Sequence, residues 1–218
     1  MSLIAVTGAS GYIGGRLVPL LLSNGHQVRV FTRDAQRLRD IPWRSQVEVV
    51  AGDLQDRDAV ARLCKDVDLL YYLVHSMSGT RDFAAQEKAC AQVVAQAARE
   101  QSVGQLVYLS GLHPAGELSE HLASRVAVGE ILSEAASTLV LQAGLVIGSG
   151  SASFEMVRHL SDVLPVMPAP RWVLNQVQPI AIRDTLHYLA ACAELAEPAQ
   201  GTYDIGGPST YSYAQLMK

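Results

Sequence analysis

Only 17% of the 218 residues are charged, and the formal net charge is −4. The basic residues are scattered and form no cationic stripe of the kind that neutralises phosphates along a nucleic acid, so no nucleic-acid partner is expected. No apolar run reaches the roughly 18 to 20 residues that a membrane span needs, and no membrane partner is expected either. The chain runs from Met1 straight into LIAVTG. It lacks the basic segment and cleavage site of a secretory signal there, which predicts a cytoplasmic protein. Cysteine is scarce: Cys64, Cys90 and Cys192 are far apart, odd in number and set in apolar helical patterns. Metal sites and redox pairs need close spacings such as CxxC, so these read as buried free thiols and no metal centre is expected. Internal repeats and low-complexity tracts are absent too. With 49% hydrophobic residues, the chain can bury one sizeable core but falls short of two full domains.

Short β-branched runs alternate with longer stretches of helical period, the pattern of repeated βαβ units around a parallel sheet. Strands are predicted at Leu3–Thr7, Gln27–Thr32, Val47–Ala51, Asp68–Val74, Gln105–Leu109 and Thr138–Gln142. Most are continuous apolar runs, as strands covered on both faces should be. Helices are predicted at Tyr12–Ser23, Asp56–Cys64, Phe83–Glu100 and His121–Ala135, the first closed by Asn24-Gly25 as a left-handed stop. Pro19 removes a backbone donor well inside the first helix, which predicts a kink or an irregular start. Asp34 reads as the N-cap of a short helix, AQRLRD. The expected fold is α/β, a Rossmann-type doubly wound parallel sheet with helices on both faces, over residues 1–150. Beyond Gly150 the text turns Ser- and Pro-rich (SGSAS, then LPVMPAP), with a further helix at Arg183–Ala196. Residues 151–218 are therefore expected to form a small C-terminal, substrate-side extension. The final YSYAQLMK reads as the opening of another helix, so the natural chain is expected to continue.

The segment Val6-Thr7-Gly8-Ala9-Ser10-Gly11-Tyr12-Ile13-Gly14 follows a predicted strand and opens a predicted helix. That context turns a glycine pattern into a dinucleotide-binding site. Gly8 permits the tight turn, Gly11 lets the backbone approach a pyrophosphate, and Gly14 lets the helix pack closely on the sheet. The amides around Ser10, Tyr12 and Ile13, at the helix start, receive the phosphate charge. The alternative is a glycine-rich loop used only for chain reversal.

The TGxxGxxG spacing resembles the short-chain dehydrogenase/reductase superfamily, and the resemblance extends along almost the whole chain. Gly52-Asp53-Leu54 resembles the family's adenine-contacting element, which implies cofactor contacts at Asp53 and Leu54. DLLYYLVHS resembles the strand whose end lines the nicotinamide ribose, which implies contacts at Leu73, Val74 and His75. QPIAIRDTLHYLA and YDIGGP resemble late segments of the extended branch. Together these look like an atypical member, NmrA-like or nucleoside-diphosphate-sugar epimerase-like. The end of the second strand, VRVFTRD, bears on the cofactor: an acid there holds the ribose hydroxyls of NAD, and an arginine accepts the 2′-phosphate of NADP. Thr32 stands where the acid would be and Arg33 follows, which favours NADP. Were Asp34 to turn toward the ribose instead of capping its helix, NAD would fit, and Arg33 would be a solvated surface charge.

The superfamily's catalysts are a serine, a tyrosine and a lysine four residues after it, and here the pair is missing. Matching Ser124-Arg125-Val126-Ala127-Val128-Gly129-Glu130 to the family's helix puts Arg125 at the lysine position and His121 at the tyrosine position. Arg125 stays protonated, so its expected role is to donate to ribose hydroxyls. An imidazole titrates near neutral pH, and His121 is either a general acid or base or a solvent-facing residue at a helix start. Ser110 matches the carbonyl-orienting serine, although another register puts Gly111 there. His113, after the fifth strand, is a second histidine at the sheet's carboxyl edge. Tyr71 and Tyr72 read as core aromatics. GSGSASF, at Gly148–Phe154, reads either as the start of a substrate pocket or as a turn with an N-cap serine. Two functions follow. One is an NADP-dependent oxidoreductase or epimerase-like enzyme acting on a small carbonyl or alcohol. The other is an NmrA-like sensor that binds the dinucleotide without turnover. The resemblance also implies a homodimer paired through the helices at Phe83–Glu100 and His121–Ala135.

Overall fold

Ile4 and Val6 pack into one hydrophobic core, and Ala5, between them, into a second. Side chains of a strand alternate between faces, so a run that is apolar throughout needs cover on both. The computed structural model describes residues 1–74, 83–113, 116–163 and 171–217. In chain order the elements are β1 (Leu3–Thr7), α1 (Gly14–Ser23), β2 (Gln27–Thr32), β3 (Glu48–Ala51), α2 (Arg57–Cys64), β4 (Leu69–Tyr72), α3 (Phe83–Glu100), β5 (Gln105–Gly111), α4 (Glu120–Ser133) and β6 (Thr138–Ala143). They continue with β7 (Val146–Ile147), α5 (Ala152–Val163), β8 (Gln176–Val177), β9 (Ile180–Ala181), α6 (Ile182–Cys192), β10 (Gly201–Ile205), β11 (Tyr211–Ser212) and α7 (Tyr213–Leu216).

Seven strands form one parallel sheet in the order β10-β6-β5-β4-β1-β2-β3. Helices α1 and α6 cover the face that carries Ile4 and Val6, and α2, α3 and α4 cover the other. The fold is the expected Rossmann-type α/β architecture. The chain builds outward from β1 to β3, then restarts on the other side of β1 with β4. This reversal between β1 and β4 is the switch point at which open α/β sheets bind ligands, past the carboxyl ends of their strands.

All six predicted strands form, β1 and β2 with the expected ends and the other four with shifted ones. β4 stops at Tyr72 because the Leu73 amide donates to the Thr7 hydroxyl (3.1 Å) and so leaves the ladder. β5 runs on to Gly111 because Ser110 and Gly111 stay paired with Gln142 and Ala143. Asp56 proves to be the N-cap of α2, its carboxylate accepting the amides of Asp58 and Ala59. At the start of α1, Arg16 and Leu17 both donate to the Ile13 carbonyl, the irregular start that Pro19 predicts.

Part of the stretch expected as a C-terminal extension rejoins the main sheet: β10 pairs with β6, and α6 packs on α1. The remaining short strands pair as β7 with β9 and β8 with β11. QPIA and YDIGGP interlock there, Gln178 Nε2 donating to the Gly207 carbonyl (2.6 Å) and the Gly207 amide to that of Pro179 (2.7 Å).

Tyr71 and Tyr72 are core residues as expected, and the Tyr71 hydroxyl donates to the Leu189 carbonyl of α6 at 2.5 Å. Tyr71→Phe should lower stability by about 1 kcal/mol, the net worth of a typical buried hydrogen bond, measurable by urea denaturation. Burial pushes the Cys64 thiol up to about 12 and that of Cys192 to about 11, while Cys90 is only half-buried. No helix among the described residues is long and apolar enough to cross a membrane.

Candidate functional site

β1 delivers Gly8 to the switch point with φ +71°, a left-handed conformation that favours glycine. A Cβ at Gly8 would stand 2.9 Å from the Leu73 carbonyl oxygen. The Gly11 amide closes the turn on the Gly8 carbonyl (2.9 Å). A Cβ at Gly14 would stand 2.9 Å from the Gly8 carbonyl carbon and 3.0 Å from Ala9 Cα. The glycines thus let the first turn of α1 rest directly on the end of β1. The amides of Ser10, Tyr12, Ile13 and Gly14 donate to no acceptor among the described residues. Free amides at the positive end of a helix, with no side chain in the way, make a cradle for a diphosphate.

At the end of β2 the Thr32 hydroxyl is engaged with the backbone of Asp34, donating to its carbonyl and accepting from its amide. The Asp34 carboxylate accepts the Gln36 amide (2.9 Å) and caps a short 3₁₀ helix, Ala35–Leu38. Asp34 therefore takes the capping role. Arg33 is exposed, with no hydrogen bond or ion pair among the described residues. Asp53 is exposed as well, and its carboxylate accepts the Gln55 amide (2.9 Å). Burial, then the Asp53 carboxylate, raise the pKa of the Cys90 thiol, and the Arg33 guanidinium lowers it, so the three side chains share one neighbourhood. The Leu54 side chain is buried in the core, which leaves only its backbone for a ligand.

At the other end of the switch point Leu73 and Val74 are half-buried beside Gly8, while His75 lies outside the described residues. Ser110 is buried near the end of β5. Arg125 reaches from α4 to the same edge, where its Nη2 donates to the Leu109 carbonyl (3.0 Å). Its Nε is buried with no partner among the described residues, an unmet donor at the ligand-binding edge. The structure thus brings Ser110 and Arg125 together. His121 is exposed in the first turn of α4, one helical turn before Arg125, and its ring centroid lies 5.9 Å from that of Phe83. A buried pair anchors α4 on α3: the Ser124 hydroxyl donates to the Glu87 carboxylate at 2.6 Å.

Two features escaped the sequence reading. Gln142, the register partner of Ser110, places its side-chain nitrogen 3.0 Å from His113 Nε2. Tyr12 carries the Arg16 guanidinium on its ring, 3.9 Å from the centroid, and Arg16 also donates to the Ser149 carbonyl. The glycine turn and the Gly148–Phe154 segment are therefore in contact. Within that segment Ser151 donates its hydroxyl to the Val146 carbonyl (2.8 Å).

A Rossmann sheet with a diphosphate cradle at its switch point defines a class, and sequence comparison identifies the family within it. The profile of the NAD(P)H-binding family matches residues 8–139. The chain belongs to this family. It is 30% identical over 229 aligned positions to a ceramide reductase from Caulobacter vibrioides, covering 99% of this chain and 68% of that protein. It is 34% identical over 126 residues to sterol demethylase protein B from Methylococcus capsulatus, covering 53% of this chain and 38% of that one. The chain thus spans well under half of one relative and about two thirds of the other. Among solved structures it is similar to a double mutant of dTDP-glucose 4,6-dehydratase from Streptomyces venezuelae with NAD bound. The TM-score is 0.78 at 19% identity, over 100% of this chain and 79% of that one.

Proposed function

We propose that the chain is an NADP(H)-dependent oxidoreductase acting on a carbonyl or alcohol. The observation that carries the reading is the row of unpaired amides over Gly8 and Gly14, with the unpaired Arg33 at the adenosine end. Ser10, Tyr12, Ile13 and Gly14 hold the diphosphate by their amides, and Arg33 takes the 2′-phosphate in a charge-assisted pair. Asp53 and the Leu54 backbone border the adenine, and Leu73 and Val74 border the nicotinamide ribose. The bound nicotinamide supplies the hydride chemistry. Ser110 orients the substrate oxygen, Arg125 holds the ribose hydroxyls, and His121 or a bound water handles the proton. The names of the two relatives, a ceramide reductase and a sterol demethylase protein, favour an apolar substrate over a nucleotide sugar.

The test is NADPH oxidation with long-chain and sterol ketones, run beside nucleotide sugars. Turnover with the apolar ketones supports the reading. Arg33→Ala should raise the Kd for NADPH by about 10- to 100-fold, the worth of one charged hydrogen bond, and leave NADH nearly unchanged. Equal weakening for both dinucleotides would return Arg33 to a general surface charge. The sensor reading draws support from the replacement of the superfamily's tyrosine and lysine by His121 and Arg125. It predicts NADPH-dependent association or dissociation without turnover.

A further inference from the structure

We infer that Trp43 is a positioning residue of the dinucleotide site, acting through the first turn of α1. The argument starts from Pro19, which lies inside that helix. Proline has no N–H, so the carbonyl four residues earlier, that of Gly15, loses its helical donor. The Trp43 indole supplies the missing donor: its Nε1 stands 3.2 Å from the Gly15 oxygen. Trp43 is 5% exposed and belongs to the core that also holds Leu17, Leu38 and Val47. A buried indole N–H needs an acceptor as much as the carbonyl needs a donor, and each completes the other.

The location gives this bond its consequence. Gly15 follows the last glycine of the cradle, and its amide donates to the Gly11 carbonyl (2.9 Å). A Cβ at Gly15 would stand 3.3 Å from the Ala9 carbonyl, so this residue lies against the turn itself. Gly15 is thereby held from both sides, by Gly11 through its amide and by Trp43 through its carbonyl. Trp43 also sits in the β2–β3 connection, the segment that begins with Arg33. A single side chain therefore ties the segment carrying Arg33 to the turn carrying the diphosphate amides, and sets how far apart the two anion-binding ends stand.

The inference rests on the proposed dinucleotide reading, and a double-mutant cycle on the full chain tests the two separately. Wild type, Trp43→Phe, Pro19→Ala and the double variant are compared by melting temperature without nucleotide. Their NADPH affinities are compared well below the lowest melting point. In the double variant the amide of residue 19 donates to the Gly15 carbonyl and replaces the indole. Trp43→Phe should weaken NADPH binding by about 5- to 10-fold, the worth of one hydrogen bond. Pro19→Ala should recover most of that loss in the Trp43→Phe background and change little in the wild type. Coupling in melting temperature with unchanged affinity would make Trp43 a brace of the fold and overturn the positioning role. Additivity in both quantities would overturn the Pro19–Trp43 complementarity itself. Should Trp43→Phe alone fail to fold, the double variant is expected to fold and bind; its failure counts against the inference. A wild-type chain that binds no NADPH overturns the dinucleotide reading and this role with it.

Discussion

Gly14→Ala should raise the Kd for NADPH by at least about 100-fold while the sheet stays folded. The added Cβ runs into the Gly8–Ala9 backbone, with the Gly8 carbonyl carbon at 2.9 Å and Ala9 Cα at 3.0 Å. Backbone cannot rotate out of the way as a side chain can, so the turn must open and its amides must diverge from the diphosphate. An effect of that size corresponds to about 2.7 kcal/mol, within reach of the loss of two charge-assisted hydrogen bonds. Calorimetric titration measures it, and circular dichroism checks that the fold persists. Gly25→Ala is the control. Gly25 also has a positive φ, +85°, but nothing lies within 4 Å of the added Cβ. It should cost about 1 kcal/mol of stability from backbone strain and leave NADPH binding unchanged. A Gly14→Ala variant that binds as well as wild type would mean that the diphosphate does not sit in this turn.

The second large effect concerns the proton. If His121 serves as general acid or base, His121→Ala lowers kcat by about 100-fold or more, with the Kd for NADPH unchanged. His121 lies in the first turn of α4 beside Phe83 and is not one of the residues assigned to hold the dinucleotide, which separates the two readouts. Single-turnover kinetics at neutral pH is the measurement. A kcat within a few fold of wild type assigns the proton to a bound water and leaves the proposed roles of Ser110 on the substrate oxygen and Arg125 on the ribose unchanged.

Much of the fold is legible in the sequence because buried parallel strands carry an unusual signal, continuous apolar runs closed by turn residues. β10 was missed for the same reason. It is the outer strand beside β6, and its Thr202, Tyr203 and Asp204 are exposed, so GTYDI lacks the doubly covered pattern. The glycine turn is legible because each glycine answers a backbone need that no other residue meets. The competition between capping and ribose binding at Asp34 was open in the sequence, since a carboxylate suits both. In the structure one of its oxygens accepts the Gln36 amide and caps the short helix. The direction of Arg125 depends on the crossing of α4 over β5, which a helical period does not encode. Pro19 shows a different limit. The sequence announces an unmet carbonyl four residues earlier, but the donor that meets it, Trp43, comes from beyond the next strand.

The most direct test of the account is calorimetric titration of the chain with NADPH and with NADH. Saturable binding of one dinucleotide to one molecule, tighter for NADPH, is the expected result. Binding of neither dinucleotide would contradict the reading of the Gly8–Gly14 turn as a nicotinamide dinucleotide site, and with it the oxidoreductase assignment.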